Sequence, residues 1–358
     1  MSAQLHQHAR TAGVALVLLG TGGVGGALLR LFGTPAAAGL QLVGVANSQR
    51  QSVQPRGLAP AQAPLRLAAG TARDDAALLA ALDASGASQR VVVDATASVA
   101  LAGRHARWLR AGYHVVSANK AAIGESEADW SAVRDAARDG IGYGDAATVG
   151  AGLPVLETLR RLRACGDRLL AFEGVLSGSL SWLFNHFDGS RPFSALLREA
   201  VAAGYTEPDP RIDLGGADVA RKLLILARSA GQCIDPAAVS VESLVPVHLG
   251  ALSADAFLAR ASELDARLER RRAAAAAGGR VLRHVAALAP DGRASVGLRA
   301  LSAAHPAARL ADTDNLFALH TLRYQPRPLV IQGPGAGREL TAQALLGDIL
   351  ALRRHAAV

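Results

Sequence analysis

Two cysteines, Cys165 and Cys233, are all that the 358 residues contain. They lack ligand-type spacing, so neither a disulfide framework nor a cysteine metal site is expected, and the chain reads as intracellular. Aromatic residues make up only 4% while Ala and Gly are heavily used, a bias that reflects coding composition more than architecture. No stretch approaches the ~20 apolar residues needed to span a bilayer. The opening MSAQLHQHARTAG is polar and runs directly into a short strand, so no signal peptide is expected there. The expected compartment is the cytoplasm, with no membrane contact.

Half of the residues are apolar and 19% are charged, a soluble globular balance. The length suits one large or two ordinary domains. Lys and Arg number 38 against 30 Asp and Glu, an excess of +8. Such a balance suits nucleic acid, anionic lipid or a phosphorylated cofactor. The charge is spread thinly, however, and the one dense run, RLERRR at 267–272, sits beside Glu263, Asp265 and Glu269. That run reads as a solvated helix face, and nucleic acid is not expected as a partner.

Residues 14–144 alternate short apolar runs with Ala/Leu-rich helical stretches. Strands are expected at 14–20, 40–48, 91–97, 113–120 and 140–146, and helices at 24–33 and 100–111. This alternation predicts a parallel sheet with helices on both faces. After about residue 147 the rhythm changes to helical stretches at 152–164, 193–203 and 216–230, joined by less regular sequence. The run AAAAAGG at 273–279 reads as a loop or frayed helix end, and the C-terminal GAGRELTAQALLGDILALR as an amphipathic helix that covers the first domain.

Residues 20–25, GTGGVG, follow an apolar strand and precede a helix. In that context Gly20 suits a tight turn, Gly22 the approach of a pyrophosphate and Gly25 close helix packing, with Val24 in the same loop. A plain structural turn is the alternative. NAD sites place an acid after the second strand for the ribose 2′-hydroxyl. Here the sequence is ANSQRQ, and Asn47, Ser48 and Arg50 favour NADP(H) over NAD(H), since Ser48 and Arg50 suit a 2′-phosphate. Arg50 also reads as a simple surface arginine.

Lys120 closes VVSANK, and DATAS at 94–98 closes the neighbouring strand. Carboxyl ends of parallel strands are where open α/β sheets bind ligands. Lys120 there suits an oxyanion or proton transfer, and Thr96 and Ser98 suit a nicotinamide or ribose; the same residues also suit a solvated strand end.

Residues 204–222, GYTEPDPRIDLGGADVARK, crowd Glu207, Asp209, Asp213 and Asp218 around two prolines and a glycine pair. Gly204 suits the stop of the preceding helix. Asp218 and Lys222 are four apart on one helix face, either as a surface pair or as part of a site. A substrate ammonium would account for the acids, and a hydroxyl or carbonyl under attack for the lysine.

At this point the chain resembles the homoserine dehydrogenase family, most closely the dehydrogenase half of the bifunctional aspartokinase–homoserine dehydrogenases. The resemblance runs from about residue 13 to the C-terminus. It rests on LLGTGGVGGALL, GVANS, DATAS, SANK, TVGAGLPV, GVLSGSLSWLF, GYTEPDPRIDLGGADVARKLLILAR, YQPRPLV and GPGAG. No kinase sequence is expected before the match, and no regulatory domain after it.

The resemblance implies an α/β enzyme with a Rossmann-type NADP-binding domain at 1–146. An α+β substrate-binding and dimerisation domain with a mixed sheet would follow at 147–329, and 330–358 would pack back onto the first. The mixed sheet would include the strand beginning LLAFEGVLSGS, and the enzyme would be a homodimer. It would interconvert L-aspartate 4-semialdehyde and L-homoserine in threonine and methionine biosynthesis. Glu207 and Asp218 would bind the substrate's amino end, Asp213 would support them, and Lys222 would be the general acid/base. Lys120 would lie at the substrate–cofactor boundary, and Gly204 and Gly337 would approach the cofactor.

Two positions depart from the family pattern. Ala146 stands where an acid commonly contributes to a monovalent-cation site, with Asp145 one residue earlier. The carbonyls of Val149, Ala151 and Leu153 remain to bind Na⁺ or K⁺. Ile212 replaces the first of two usual acids, of which Asp213 is the second. The alternatives are a related dehydrogenase of another small amino aldehyde, or a non-catalytic dinucleotide-binding regulator.

Overall fold

A computed structural model describes residues 11–137 and 140–355. Residues 1–10, most of the polar opening, lie outside the described residues. The chain divides into two compact units, Met1–Thr148 with Gly337–Val358, and Val149–Ala336.

The first unit is built on seven strands: β1 (Thr11–Leu19), β2 (Leu40–Ala46), β3 (Arg50–Val53), β4 (Thr71–Ala72), β5 (Ala87–Asp94), β6 (His114–Ser117) and β7 (Tyr143–Gly144). Their order is β4-β3-β2-β1-β5-β6-β7. The strands from β2 to β7 in that order pair in parallel. Val14 to Leu19 are buried without interruption, as expected of a strand covered on both faces.

The expected all-parallel sheet needs one correction, because β3 and β4 extend it antiparallel at the β2 edge. The cause is local. The Asn47 side-chain oxygen accepts from the backbone N–H groups of Gln49 at 2.8 Å and Arg50 at 2.7 Å, an Asx turn that reverses the chain directly after β2. The helix expected over 100–111 is also two pieces, Val99–Ala102 and His105–Arg110. The C-terminal helix Arg338–His355 places Ala342, Leu345 and Ile349, all 0% exposed, in one core cluster with Leu28, Leu16 and Val91.

The second unit carries β8 (Leu169–Val175), β9 (Ser240–Val241), β10 (Arg280–Leu288), β11 (Ala294–Ser302), β12 (Asp314–Thr321) and β13 (Leu329–Pro334). They form a mixed sheet, ordered β13-β12-β8-β10-β11-β9, in which only β9 and β11 pair in parallel. The principal helices are Gly178–His186, Phe193–Ala202, Ala217–Ser229 and Asp265–Ala277. Two readings are corrected here. Of the two readings for 273–279, loop or frayed helix end, the loop is corrected: the alanines form the end of the helix Asp265–Ala277, which stops at Gly278, in keeping with alanine's high helix propensity. The arginines of 267–272 are not a purely solvated face: Arg267 donates to the Leu244 carbonyl at 2.5 Å, Arg271 pairs with Glu242, and Arg272 donates to the Asp188 carbonyl at 3.1 Å. They fasten the helix to its neighbours.

The architecture is thus α/β, a Rossmann-type unit plus an α+β unit with a mixed sheet. No helix among the described residues is long and apolar enough to cross a membrane.

Candidate functional site

In the first unit the sharp turn after β1 places Gly20 at φ +91°, where a Cβ would come within 2.8 Å of the Ala95 carbonyl oxygen. A Cβ at Gly25 would overlap the Gly20 carbonyl oxygen, while Gly22 has open space around it. The loop is therefore closed where it packs and open where a ligand would approach. Gly22 caps the helix Gly23–Phe32, whose first turn has neither a side-chain cap nor an acid. Exposed N–H groups and the helix dipole make such an end a favourable place for a phosphate. Val24 beside it is half-buried. Gly337 also faces open space directly ahead of the helix Arg338–His355, and Arg338 carbons lie 3.7 to 3.8 Å from a Cβ built on Gly23.

A cavity of about 470 Å³ opens beside this loop, lined by Thr21, Gly26, Arg30, Asn47, Pro64 and Leu67, among others. Ser48 and Arg50 are exposed at the turn after β2. Arg50 donates through Nη1 to the Gly70 carbonyl at 2.9 Å. Arg73 was not singled out from the sequence. It donates to the Asn47 carbonyl at 3.1 Å and to Asp75 at 2.7 Å, and its Nη2 is buried without a hydrogen-bond partner. A lone arginine in a loop gives no sequence signal for such placement.

At the carboxyl end of β5, the Thr96 hydroxyl donates to Asp94 at 2.7 Å and accepts from the Ser98 N–H at 3.2 Å. Ser98 in turn caps the short helix Val99–Ala102 by accepting from the Leu101 N–H at 3.3 Å. Lys120 follows β6 as the cap of the helix Ala121–Gly124 and is half-buried.

In the second unit the acidic stretch proves less crowded than its sequence suggests. Asp209 accepts side-chain bonds from Arg211 at 2.9 Å, 3.2 Å and 2.7 Å, and the guanidinium holds its pKa below the usual carboxylate value. Arg211 also donates to the Gly250 carbonyl at 2.9 Å, so this pair anchors a turn and is no part of an ammonium cradle. Asp213 is likewise engaged: it accepts from the Ser179 hydroxyl at 2.6 Å and from the Glu207 N–H at 2.9 Å. Asp213 thereby fixes the backbone that carries the exposed Glu207. Ser179 went unnoticed in the sequence, although it lies in the quoted GVLSGSLSWLF; its partner is 34 positions away.

The short helix Arg211–Leu214 leads into Gly216, whose φ of +76° turns the chain into the helix Ala217–Ser229. Residues 223–228 of this helix are buried, a broader contact than one apolar stripe. Its first turns present Asp218 and Lys222. Lys222 Nζ lies 2.8 Å from an Asp218 oxygen and donates to the Leu176 carbonyl at 2.8 Å, with its side chain only 13% exposed. A lysine held this way can exchange a proton while its nitrogen stays in place. Gly204 ends the helix Phe193–Ala202 with a bond from its N–H to the Val201 carbonyl at 3.0 Å.

The loop after residue 148 turns through Gly150 at φ +76° and Ala151 at φ +52°. Val149 and Ala151 are buried, and the Leu153 carbonyl accepts from the Val155 N–H at 2.8 Å. No group of three or more His, Cys, Asp or Glu suited to a metal occurs among the described residues.

The family description "Homoserine dehydrogenase, NAD binding domain" matches residues 20–141, and "Homoserine dehydrogenase" matches 154–350. The chain is 42% identical over 345 residues to bifunctional aspartokinase/homoserine dehydrogenase 2 of Escherichia coli, covering 94% of this chain and 43% of that protein. The chain thus spans less than half the length of this relative. It is 36% identical over 367 residues to homoserine dehydrogenase of Emericella nidulans, covering 95% of this chain and 98% of the relative. A hyperthermophilic archaeal homoserine dehydrogenase solved in complex with NADPH shares the fold, with a TM-score of 0.72 at 19% identity over 94% of this chain and 97% of that one. The chain belongs to the homoserine dehydrogenase family.

Proposed function

We propose that the chain catalyses the reversible, NADPH-dependent reduction of L-aspartate 4-semialdehyde to L-homoserine, a step of threonine and methionine biosynthesis. The observation that carries this reading is Lys222, half-enclosed and held between Asp218 and the Leu176 carbonyl. When bound, a nicotinamide dinucleotide would supply the hydride chemistry of the aldehyde–alcohol interconversion. Lys222 gives the proton to the substrate oxygen as it becomes an alkoxide, and removes it in the other direction. Glu207 and Asp218 bind the substrate ammonium, and Asp213 holds Glu207 in place.

The residues present fit the dinucleotide. Open space at Gly22, an uncapped helix end and the adjoining cavity suit the pyrophosphate and adenosine. In this reading Gly20, Gly25 and Val24 shape the loop, and Gly337 adds a second open backbone approach. Asn47, Ser48 and Arg50 favour a 2′-phosphate, because the turn after β2 carries a cation and no acid, and Arg73, paired with Asp75, adjoins it through the Asn47 carbonyl. Thr96, Ser98 and Lys120 serve the nicotinamide end, and Gly204 borders the cofactor. The carbonyls of Val149, Ala151 and Leu153 are the candidate ligands for Na⁺ or K⁺. The enzyme works in the cytoplasm as a homodimer formed through the second unit, and light scattering would then return twice 36.8 kDa.

The test is direct. Purified protein should oxidise NADPH when given L-aspartate 4-semialdehyde and reduce NADP⁺ when given L-homoserine. Absence of both reactions, with the dinucleotide bound, overturns the reading.

A further inference from the structure

The first unit contains a buried polar chain that no step above uses. Asp94, the last residue of β5, follows an apolar run and is 0% exposed. One carboxylate oxygen accepts from the Thr96 N–H at 2.9 Å and the Thr96 hydroxyl at 2.7 Å. The other accepts from the Asn119 amide at 3.0 Å and lies 3.0 Å from His105 Nε2. His105 is also 0% exposed, and its Nδ1 lies 3.0 Å from the Tyr143 hydroxyl. A carboxylate can only accept, so His105 Nε2 is the donor to Asp94, while Nδ1 faces the Tyr143 hydroxyl. The chain therefore runs unbroken from Tyr143 through His105 to Asp94.

Its consequence is geometric. Asn119 donates a second time, to the Ser98 carbonyl at 2.9 Å, and accepts from the Ala121 N–H at 3.1 Å. Segments 95–98 and 118–121, from the ends of two neighbouring strands, thus hang from one carboxylate. Lys120 lies between Asn119 and Ala121. The 95–96 segment also packs on the phosphate loop, since a Cβ at Gly20 would meet both the Ala95 carbonyl oxygen and Thr96 Cγ2 at 2.8 Å. An apolar residue at 94 would fill the core without the desolvation that a buried carboxylate imposes. Packing alone does not account for Asp94; fixing two loops at once does.

We propose that Asp94 is a positioning residue for the nicotinamide end of the dinucleotide site and for Lys120. His105, held by Tyr143, sets the orientation of its carboxylate. The inference rests on the reading above for the roles of Lys120 and the strand-end loops, and it concerns residues outside the substrate's own contacts.

The test compares NADPH with 2′-phospho-ADP-ribose, which has the same adenosine half but no nicotinamide. Both affinities are measured on wild type, Asp94→Asn and Tyr143→Phe, together with kcat and thermal midpoint. Asp94→Asn should bind 2′-phospho-ADP-ribose within two-fold of wild type, bind NADPH about ten-fold more weakly, and lose kcat by a similar factor or more. Tyr143→Phe, which removes one oxygen at the far end, should show the same selective loss at two- to five-fold. Equal loss for both ligands assigns Asp94 a general structural role and overturns the proposal, as does no loss for either. If Asp94→Asn does not fold, the Tyr143→Phe comparison decides alone: an unchanged ratio of the two affinities overturns it. The binding arm needs no substrate, so a wild type inactive on L-aspartate 4-semialdehyde refutes the functional reading separately.

Discussion

Lys222 and Asp218, one helical turn apart, meet at 2.8 Å, and the Leu176 carbonyl, 46 positions earlier, accepts from the same ammonium at 2.8 Å. An ordinary i,i+4 surface pair contributes a few tenths of a kcal/mol and needs no third partner. Lys222→Ala should reduce kcat by at least about a thousand-fold while leaving NADPH affinity nearly unchanged. Steady-state kinetics with a parallel binding titration checks this, and wild-type turnover in the variant removes Lys222 from the mechanism.

The 2.6 Å bond from Ser179 to Asp213 predicts a different signature. Ser179→Ala removes a hydrogen bond to a charged group, worth about 1.5–3 kcal/mol, and loosens the backbone of Glu207. KM for L-aspartate 4-semialdehyde should rise about ten-fold with a smaller change in kcat. A change confined to kcat would show that Asp213 does not act through the substrate's binding groups.

Cofactor preference should follow Arg50, which opens β3, and Arg73, which follows β4 and donates to the Asn47 carbonyl. Arg50→Ala and Arg73→Ala should each lower kcat/KM for NADPH by about ten-fold and leave NADH within two-fold, since only the 2′-phosphate distinguishes the two. Wild type preferring NADH, or equal losses for both cofactors, would assign these arginines to the local fold.

His284 in β10 is only 2% exposed, and burial lowers its pKa from 6.5 to about 4. Its Nε2 has no hydrogen-bond partner and lies 3.7 Å from a Cβ built on Gly216, where the helix of Lys222 begins. Above pH 6.5 the group makes no difference. As pH falls from 6.5 towards 4, the unfolded chain takes up a proton that the folded chain refuses, and stability is lost. Between pH 7 and pH 5 the loss is about 2 kcal/mol, at 1.36 kcal/mol per pH unit. Urea unfolding at the two values should show this loss in wild type and much less of it in His284→Leu. The same loss in both proteins would trace the acid sensitivity elsewhere.

The sequence by itself determined what depends on neighbours along the chain. The apolar run of β1, the glycines at 20, 22 and 25 and the helix after them are legible because strand burial, tight turns and helix starts are set within a few residues. The helix bearing Asp218 and Lys222 is legible for the same reason, through its 3.6-residue period. Tertiary structure decided what joins distant positions. The antiparallel turn into β3 is local to Asn47, but the pairing of β3 with β4 joins Arg50 to Ala72, far along the chain, which periodicity does not encode. Ser179 finds Asp213 across 34 residues, and Lys222 finds the Leu176 carbonyl across 46. Asp209 and Arg211 are only two apart, yet whether they pair with each other or face a ligand was settled by the carbonyls of Leu249 and Gly250 that receive the arginine. Charge and spacing propose partners, but only packing fixes which of them come within the 3 Å that a hydrogen bond requires.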